Sequence, residues 1–338
     1  MFSSIPEEKG DIIVASNKKN LIILGISIAI ITIVVIIIAV VSSNKNKEES
    51  KKNRQEENQD NKKEDTVLEV YKKYERLEML GSGAIGKVYK GRDKVTQELV
   101  AIKEIPILDA GDFDIKKETE KEIKFMKIYS NYTNSIKIYD TYEQNNTIFI
   151  VMDLCDGDLS KYLKKTQNGF TVYEIKIIMK QFNTIYKELR KRDMIHNDVK
   201  IENILVKFKN DSKAFDIKLS DYGLAKLISS TKNLTDNEWG IEPYTNEDET
   251  IVYFVEKIDL FIIGVDIYRM LFKETAETTE DYLAKIDSSV EDEDLKDLLK
   301  KLLVEEPKER IEWNDYFNHK FFEIETFDFD KVENIVKN

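Results

Sequence analysis

The sequence predicts an α+β fold in which a small strand-rich part comes first and a larger helix-rich part follows, preceded by one membrane-spanning helix. Three observations predict this organisation. Residues 21–41 are free of charged residues, and residues 77–152 hold short apolar runs separated by turns. Stretches with helical periodicity then cover residues 171–192, 257–272, 292–303 and 311–320. The 338 residues allow one large domain or two ordinary ones.

The composition limits the compartment and the partners of the chain. Its single cysteine, Cys155, rules out a disulfide framework, so the folded part is expected in a reducing compartment. The net charge is -12, and the excess acid belongs to residues 66–338 because residues 42–65 balance seven basic with seven acidic side chains. Nucleic acid is therefore not an expected partner, since phosphate contacts need a basic face.

Residues 21–41 contain neither a charge nor a proline. At about 1.5 Å per residue, a helix of this length crosses a hydrocarbon layer of roughly 30 Å. The β-branched residues favour a strand in water, but in lipid the backbone must satisfy its own hydrogen bonds, which selects a helix. A cleaved signal peptide is the alternative, yet the run is too long and no small-residue cleavage pattern follows it.

The charges beside this segment orient it only weakly. Within twenty residues, three lysines precede it and five basic residues follow it, which places the carboxyl side inward. The sequence thus predicts a single-pass membrane protein with residues 1–20 outside the cytoplasm. We expect a charged flexible linker over 42–70, a cytoplasmic folded domain over 71–325 and a tail over 326–338.

A polar turn lies between two apolar anchors at residues 194–205. It carries Asp198, Lys200 and Asn203, and buried polar side chains are costly unless they have partners or a task. This spacing suits the transfer of a phosphoryl group. Asp198 would accept the proton of an attacking hydroxyl, Lys200 would neutralise charge on the phosphoryl group, and Asn203 would hold a magnesium ion.

A glycine-rich stretch precedes these residues by more than a hundred positions. Gly81, Gly83 and Gly86 form a Gly-x-Gly-x-x-Gly pattern between Leu80 and Val88. Dinucleotide-binding folds use the same pattern, but there it opens a helix, whereas Val88 continues a strand. A hairpin therefore fits better, and glycines at its tip let backbone N–H groups approach phosphate.

Together these motifs resemble those of eukaryotic protein kinases. Residues 196–203 resemble the His-Arg-Asp loop that ends in Asn, with Asn197 in place of arginine. Residues 100–103 resemble Val-Ala-Ile-Lys, and residues 221–223 resemble Asp-Phe-Gly. The resemblance covers residues 74–323 and implies a bilobal fold, with a small β-rich N-lobe containing helix C and a larger α-helical C-lobe.

The resemblance implies ATP and Mg²⁺ as cofactors. Lys103 would reach the α and β phosphates and pair with Glu122 of helix C, with Glu118 as the alternative partner. Asp221 would hold magnesium together with Asn203. Met152 would close the back of the adenine pocket. Backbone groups of Asp153 and Cys155, in the hinge between the two lobes, would bond the adenine edge. The nucleotide site would also be lined by Leu80, Gly81, Gly83, Gly86, Val88 and Ala101.

Several of these residues have a second interpretation or a less direct role. Cys155 fits core packing equally well, which is common for a free cysteine. Asp158 would reach toward the ribose or a basic substrate residue. By the resemblance, Asp259 would cap the backbone of the catalytic loop and Asp248 would pair with Arg310. We expect His319 to serve packing rather than chemistry.

The resemblance implies ATP-dependent phosphoryl transfer to serine and threonine hydroxyls of protein substrates, beside a membrane. Lys200 matches the serine/threonine-specific pattern. The alternative is a membrane-anchored pseudokinase that binds nucleotide or acts as a scaffold, because Ile241 stands where a threonine is usual and residues 246–248 replace Ala-Pro-Glu.

Asn197 lacks the charge that would bind an activating phosphate, so activity is expected not to require one. The sequence leaves the oligomeric state open.

Overall fold

The computed structural model describes residues 68–83, 85–107, 114–209, 212–228, 243–244 and 249–337. The predicted membrane helix at 21–41 and the linker up to residue 67 lie outside these ranges. Within these ranges, no helix has both the length and the apolar character needed to cross a bilayer.

The N-terminal part is a five-stranded sheet with the strand order β1-β2-β3-β5-β4. A short helix, α1 (Glu69–Lys73), precedes the sheet, and α2 (Ile115–Tyr129) follows its third strand. The strands are β1 (Tyr74–Ser82), β2 (Lys87–Asp93), β3 (Leu99–Pro106), β4 (Ile138–Gln144) and β5 (Thr147–Asp153). Antiparallel pairing places Lys103 of β3 opposite Ile150 of β5, so the lysine is held by the centre of the sheet.

The tip of the first hairpin comprises Gly81–Lys87. Within the tip, the N–H of Gly83 donates a hydrogen bond to the carbonyl of Gly86 at 2.8 Å. The tip is thus a tight turn closed by its own backbone.

Helix α2 begins where the sequence supplies a capping residue. The Asp114 carboxylate accepts a hydrogen bond from the N–H of Lys117, which satisfies a free donor of the first turn. One face of the helix then buries Glu122, Phe125 and Tyr129. Glu122 is therefore a carboxylate on the buried face of an otherwise strongly charged helix.

Short strands and helices follow the N-terminal sheet. The strands are β6 (Gly157–Asp158), β7 (Met194–Ile195), β8 (Ile204–Phe208), β9 (Phe215–Leu219), β10 (Lys226–Ile228) and β11 (Pro243–Tyr244). The helices are α3 (Leu159–Lys165), α4 (Val172–Arg190), α5 (Glu249–Phe272), α6 (Thr279–Ser289), α7 (Glu293–Leu302) and α8 (Trp313–Phe317). The strands form two three-stranded sheets, ordered β6-β8-β9 and β11-β10-β7.

Helices α5 and α7 approach closely at Gly264. A Cβ added to this glycine would lie 2.9 Å from the Cβ of Leu302, which is closer than packed side chains allow. Helix α5 is buried along much of its length, including the apolar Leu260, Ile263 and Ile267. It therefore forms the centre of the helical part, on which other segments are positioned.

The C-terminal residues pack onto this part of the protein. Val332 and Ile335 are buried, and the fully buried carboxylate of Glu174 accepts hydrogen bonds from the N–H groups of Glu333 and Asn334 at 2.9 and 2.6 Å. Glu174 also closes a capping box with Thr171 at the start of α4. The packed structure thus continues beyond residue 325.

Candidate active site

Lys103 and Glu122 form an ion pair between β3 and α2. The Nζ atom lies 2.8 and 3.1 Å from the two carboxylate oxygens, and both side chains are largely buried. Burial alone would lower the pKa of Lys103, but the negative charges of Glu122 and Asp221 raise it above its ordinary value. The lysine is therefore held as a cation near Asp221, and its predicted pairing with Glu122 is confirmed.

Asp259 of α5 fixes the backbone of the catalytic loop, residues 196–203. One carboxylate oxygen accepts hydrogen bonds from the backbone N–H groups of His196 and Asn197 at 3.0 Å each, and also from the hydroxyl of Tyr186. Asp259 is almost completely buried. Its predicted capping role is confirmed, and it anchors the loop to the central helix.

His196 joins this loop to the segment before Asp221. Burial lowers the pKa of His196, so the ring is neutral, and Nε2 lies 3.0 Å from the carbonyl oxygen of Ser220. Asn197 has a φ of 60° and Asp221 a φ of 63°, both in the left-handed region that asparagine and aspartate tolerate best after glycine. The two residues mark the sharp turns that present the neighbouring side chains.

Three predicted catalytic side chains meet at one carboxylate oxygen. Lys200 Nζ lies 2.7 Å from Asp198 Oδ2, and Asn203 Nδ2 donates to the same oxygen at 2.8 Å and to the Asp198 carbonyl at 2.9 Å. Asn203 is held in the 3₁₀ turn Ile201–Asn203, directly before β8. Because its amide nitrogen faces Asp198, its amide oxygen is left for another ligand.

The β8–β9 hairpin brings Asn203 close to the segment that holds Asp221. Ile204 is paired with Leu219, and the carbonyl of Asn203 accepts hydrogen bonds from the N–H and the hydroxyl of Ser220, each at 3.0 Å. Asp221 is the next residue, and its side chain is exposed. The hairpin register thus places the two predicted magnesium ligands at the same end of two paired strands.

Tyr222 holds Asp221 in place through the core. Its ring stacks on Tyr129 of α2, with 5.9 Å between ring centroids, and lies 5.1 Å from the His196 ring. The Tyr222 hydroxyl shares a hydrogen bond with Ser135 Oγ at 2.9 Å, so it has the partner that a buried tyrosine needs. The segment of Asp221, helix α2 and the catalytic loop are therefore in mutual contact.

The predicted hinge consists of the end of β5, with Met152 and Asp153, and the residues just after it, including Cys155. Met152 pairs with Ala101 across the sheet, and Cys155 is partly buried, with a pKa raised to about 12 chiefly by burial. The Asp153 carboxylate is buried, and it contacts Lys207 at 2.6 Å and Lys218 at 3.4 Å. Burial alone would raise the pKa of Asp153, but the two lysines hold it below its ordinary value. The side chain thus ties the hinge to the β8–β9 hairpin, and the backbone N–H of Asp153 donates to the carbonyl of Lys137 at 2.9 Å.

Other predicted residues have structural partners or lie outside the described residues. The Asp158 carboxylate caps α3 by accepting the N–H of Lys161 at 2.8 Å. Arg310 donates to the carbonyls of Val304, Glu305 and Lys257, and its predicted partner Asp248 lies outside the described residues. The side chain of His319 is 8% exposed and contacts Asp297, which agrees with a packing role.

A charged network beside the catalytic turn was not predicted. Arg269 of α5 contacts Glu202 of the turn through both terminal nitrogens, at 2.9 and 3.4 Å, and it contacts Asp266 at 3.3 Å. Asp266 is buried, and its neighbours in α5 from Leu260 to Tyr268 are apolar or glycine. A charged residue within that apolar run was the only local signal of the network.

The fold and this site together define a protein kinase domain, and comparison with known proteins agrees. The family model described as "Protein kinase domain" matches residues 74–322. The chain therefore belongs to the protein kinase family.

Similar proteins carry related names. The chain is 30% identical over 268 residues to serine/threonine-protein kinase atg1 of Dictyostelium discoideum, covering 74% of this chain and 39% of that protein. It is 27% identical to serine/threonine-protein kinase KIC1 of Saccharomyces cerevisiae, covering 75% and 24%, and 26% identical to serine/threonine-protein kinase 36 of Mus musculus, covering 74% and 19%. The chain thus matches less than half of the length of these relatives.

Proposed function

We propose that the chain is an ATP-dependent protein serine/threonine kinase tethered to a membrane. The observation that carries the enzymatic part is the convergence of Lys200 and Asn203 on the Asp198 carboxylate, next to the segment of Asp221. Family membership and the names of the relatives support the same activity.

Each side chain has a distinct role in this proposal. Asp198 accepts the proton of the attacking hydroxyl, and Lys200 neutralises charge on the transferring phosphoryl group. Lys103, held as a cation by Glu122, binds the α and β phosphates of ATP. Catalysis then depends on positioning and charge stabilisation, since the protein forms no covalent bond to the phosphoryl group.

The donor set next to Asp198 fits a magnesium ion. Asp221 offers a carboxylate and Asn203 an amide oxygen, and Mg²⁺ prefers such hard oxygen ligands while keeping several waters. When bound, Mg²⁺ would neutralise charge on the ATP phosphates. The exposed side chain of Asp221 leaves room for the phosphates and waters that complete its coordination.

The nucleotide base is proposed to bind along the hinge. Met152 and Ala101, which pair across β3 and β5, would contact the adenine ring, and Leu80 and Val88 would cover it. Backbone groups of Asp153 and Cys155 would bond its edge. Gly81 and Gly86 would offer backbone N–H groups to the phosphates, whereas the N–H of Gly83 already donates to the carbonyl of Gly86.

The experiment is phosphate transfer by the full chain in detergent. ATP labelled at the γ position is supplied with Mg²⁺ and a mixture of unfolded acceptor proteins, and the modified residues are identified by mass spectrometry. The proposal expects label on serine and threonine. Nucleotide binding without any transfer would instead favour the pseudokinase alternative, which Ile241 and the replacement of Ala-Pro-Glu at residues 246–248 motivate.

The membrane part of the proposal rests on the sequence of residues 21–41. The first described residues, in the short helix α1, follow the charged linker and pack against the N-terminal sheet through Val70. A tether of this kind would hold the kinase domain at the cytoplasmic face and concentrate it near protein substrates there.

Fractionation of cells tests the tether. The full chain is expected in the membrane fraction after alkaline carbonate washing, and a variant lacking residues 21–41 is expected in the supernatant. A variant lacking residues 43–63, which removes 21 residues of the linker and leaves the apolar segment intact, serves as the length-matched control. Recovery of the full chain in the supernatant would contradict the membrane proposal without affecting the enzymatic one.

A further inference from the structure

The charged network beside the catalytic turn consists of Glu202, Arg269 and Asp266. Glu202 directly precedes Asn203 and its side chain is 42% exposed, so it lies at the surface next to the residues that would receive a substrate hydroxyl. A protein substrate that brings a hydroxyl to Asp198 must pass over this surface. Glu202 is therefore a carboxylate placed to contact substrate residues near the acceptor.

Arg269 already forms an ion pair with this carboxylate. Its guanidinium contacts both oxygens of Glu202, and such two-point contacts are the strongest that arginine makes with a carboxylate. A substrate arginine at micromolar concentration would have to displace it. An intramolecular partner acts at an effective concentration in the millimolar range or higher, so displacement is unfavourable.

Asp266 holds Arg269 in this position from the buried side. Its Oδ1 lies 3.3 Å from the guanidinium, its side chain is 5% exposed, and Oδ2 has no hydrogen-bond partner among the described residues. If Arg269 turned toward solvent, the buried carboxylate would lose its cation, which is costly. Burial raises the pKa of Asp266 to about 7, and Arg269 opposes this increase, which agrees with a close charge interaction.

Two other acids that could attract basic substrates accept hydrogen bonds from the backbone. Asp156 accepts the N–H of Phe208 at 2.9 Å, and Asp158 accepts the N–H of Lys161 at 2.8 Å. Both carboxylates thus serve the backbone. Neither hydrogen bond neutralises its carboxylate, so the inference is limited to the substrate position that faces Glu202.

Resting on the proposed kinase function, we propose that Arg269 determines substrate specificity. By neutralising Glu202, it prevents selection of arginine or lysine at the substrate position that faces the pair, so that neutral residues are accepted there. The substrate class is thus a serine- or threonine-containing segment without a required basic residue at that position.

Peptide phosphorylation by the full chain in detergent tests the assignment. A neutral serine peptide is varied by placing one arginine, or one glutamate, at each of the four positions on either side of the serine, and kcat/KM is measured for each. The wild-type chain is expected to gain less than about threefold from arginine at the position that faces the Glu202–Arg269 pair. For Arg269→Glu, one position should appear at which arginine raises kcat/KM about tenfold, and the added change Glu202→Gln should reduce that gain.

The single variant Glu202→Gln tests the proposal even if Arg269→Glu does not fold. Because Glu202 is exposed, this variant is expected to fold. This variant frees Arg269, so glutamate at the same position should raise kcat/KM about three- to fivefold. Arg92→Glu reverses the charge of an arginine on β2 that pairs with Glu75 of β1 at the surface. It is the matched control, expected to leave peptide selectivity unchanged.

Two outcomes would overturn the inference while leaving the kinase function intact. One is a wild-type preference for arginine that Glu202→Gln removes. The other is an unchanged selectivity profile in folded Arg269→Glu and Glu202→Gln. Absence of transfer to every peptide by the wild-type chain would overturn the proposed function and this inference together.

Discussion

Lys103 and Glu122 are joined by an ion pair of 2.8 Å that links the centre of the N-terminal sheet to helix α2. Both side chains are largely buried, so neither charge is well solvated without the other. The pair thus fixes the lysine for phosphate binding and fixes the helix against the sheet.

Replacing this lysine should impair catalysis, and it also leaves Glu122 buried without its cation. Lys103→Met is expected to lower kcat/KM for ATP by about a hundredfold or more, because a preorganised cation at the phosphates is lost. Lys116→Met is the matched control, since Lys116 pairs with Glu143 on the exposed side of α2 and should change the rate by less than about twofold. Phosphate-transfer kinetics of both variants check this, and equal rates in the two would contradict the assignment of Lys103.

Asp259 should be essential for the stability of the catalytic loop. Asp259→Ala removes the acceptor of two backbone N–H groups and of the Tyr186 hydroxyl in a buried environment. We expect a loss of about 3 kcal/mol in the free energy of unfolding, measured by denaturant titration. Asp315→Ala, at an exposed aspartate of α8, is the control. A loss no larger than that of the control would show that the loop is held by other contacts.

The buried carboxylate of Asp266 predicts a pH dependence of stability. Its pKa is raised to about 7 by burial, above its value in the unfolded chain, so the folded state binds the proton more tightly. The contribution of this group to stability is therefore greatest at low pH and decreases as the pH rises toward 7.

The variant Asp266→Asn should lack this decrease. Between pH 5 and pH 8, its free energy of unfolding should rise relative to wild type by up to about 3 kcal/mol, which is two pKa units at 1.36 kcal/mol each. Arg269 and Glu202 remain in both proteins, so they do not account for the difference. A constant difference between the two proteins across this pH range would mean that Asp266 does not titrate there.

Activity should not depend on phosphorylation of the segment after Asp221. Asn197 carries no charge to bind a phosphate, and its backbone is already held by Asp259 at 3.0 Å. Simultaneous replacement of Ser229, Ser230, Thr231 and Thr235 by alanine is expected to retain activity within about threefold. These four residues lie outside the described residues, so this prediction rests on the sequence and on Asn197. Loss of activity in a folded variant would refute it.

Local sequence patterns predicted the longer strands and most helices because burial repeats along them with a regular period, whereas the short strands β6, β10 and β11 were not predicted. The helices predicted at 171–192 and 292–303 match α4 and α7, whereas the helix predicted at 257–272 begins earlier, at Glu249. Helices α3 and α6 were not predicted, since α3 spans only seven residues and α6 buries only Tyr282 and Ile286. Short or weakly amphipathic helices leave little periodic signal.

The site residues were predictable by motif, but their supporting contacts were not. Lys207 and Lys218 contact Asp153 from a hairpin more than fifty residues away, and Arg269 reaches Glu202 across a similar separation. Such pairs depend on how distant elements pack, which no local pattern encodes. The role of Asp259 was predicted only because the resemblance supplied it.

The central claim is that Asp198, assisted by Lys200 and Asn203, receives a hydroxyl proton during phosphoryl transfer. The most direct measurement compares the rate of γ-phosphoryl transfer from ATP by the full chain with that of Asp198→Asn, which preserves size but cannot act as a base. We predict a decrease on the order of a thousandfold with nucleotide binding unchanged. Equal rates of transfer by the two proteins would contradict the account.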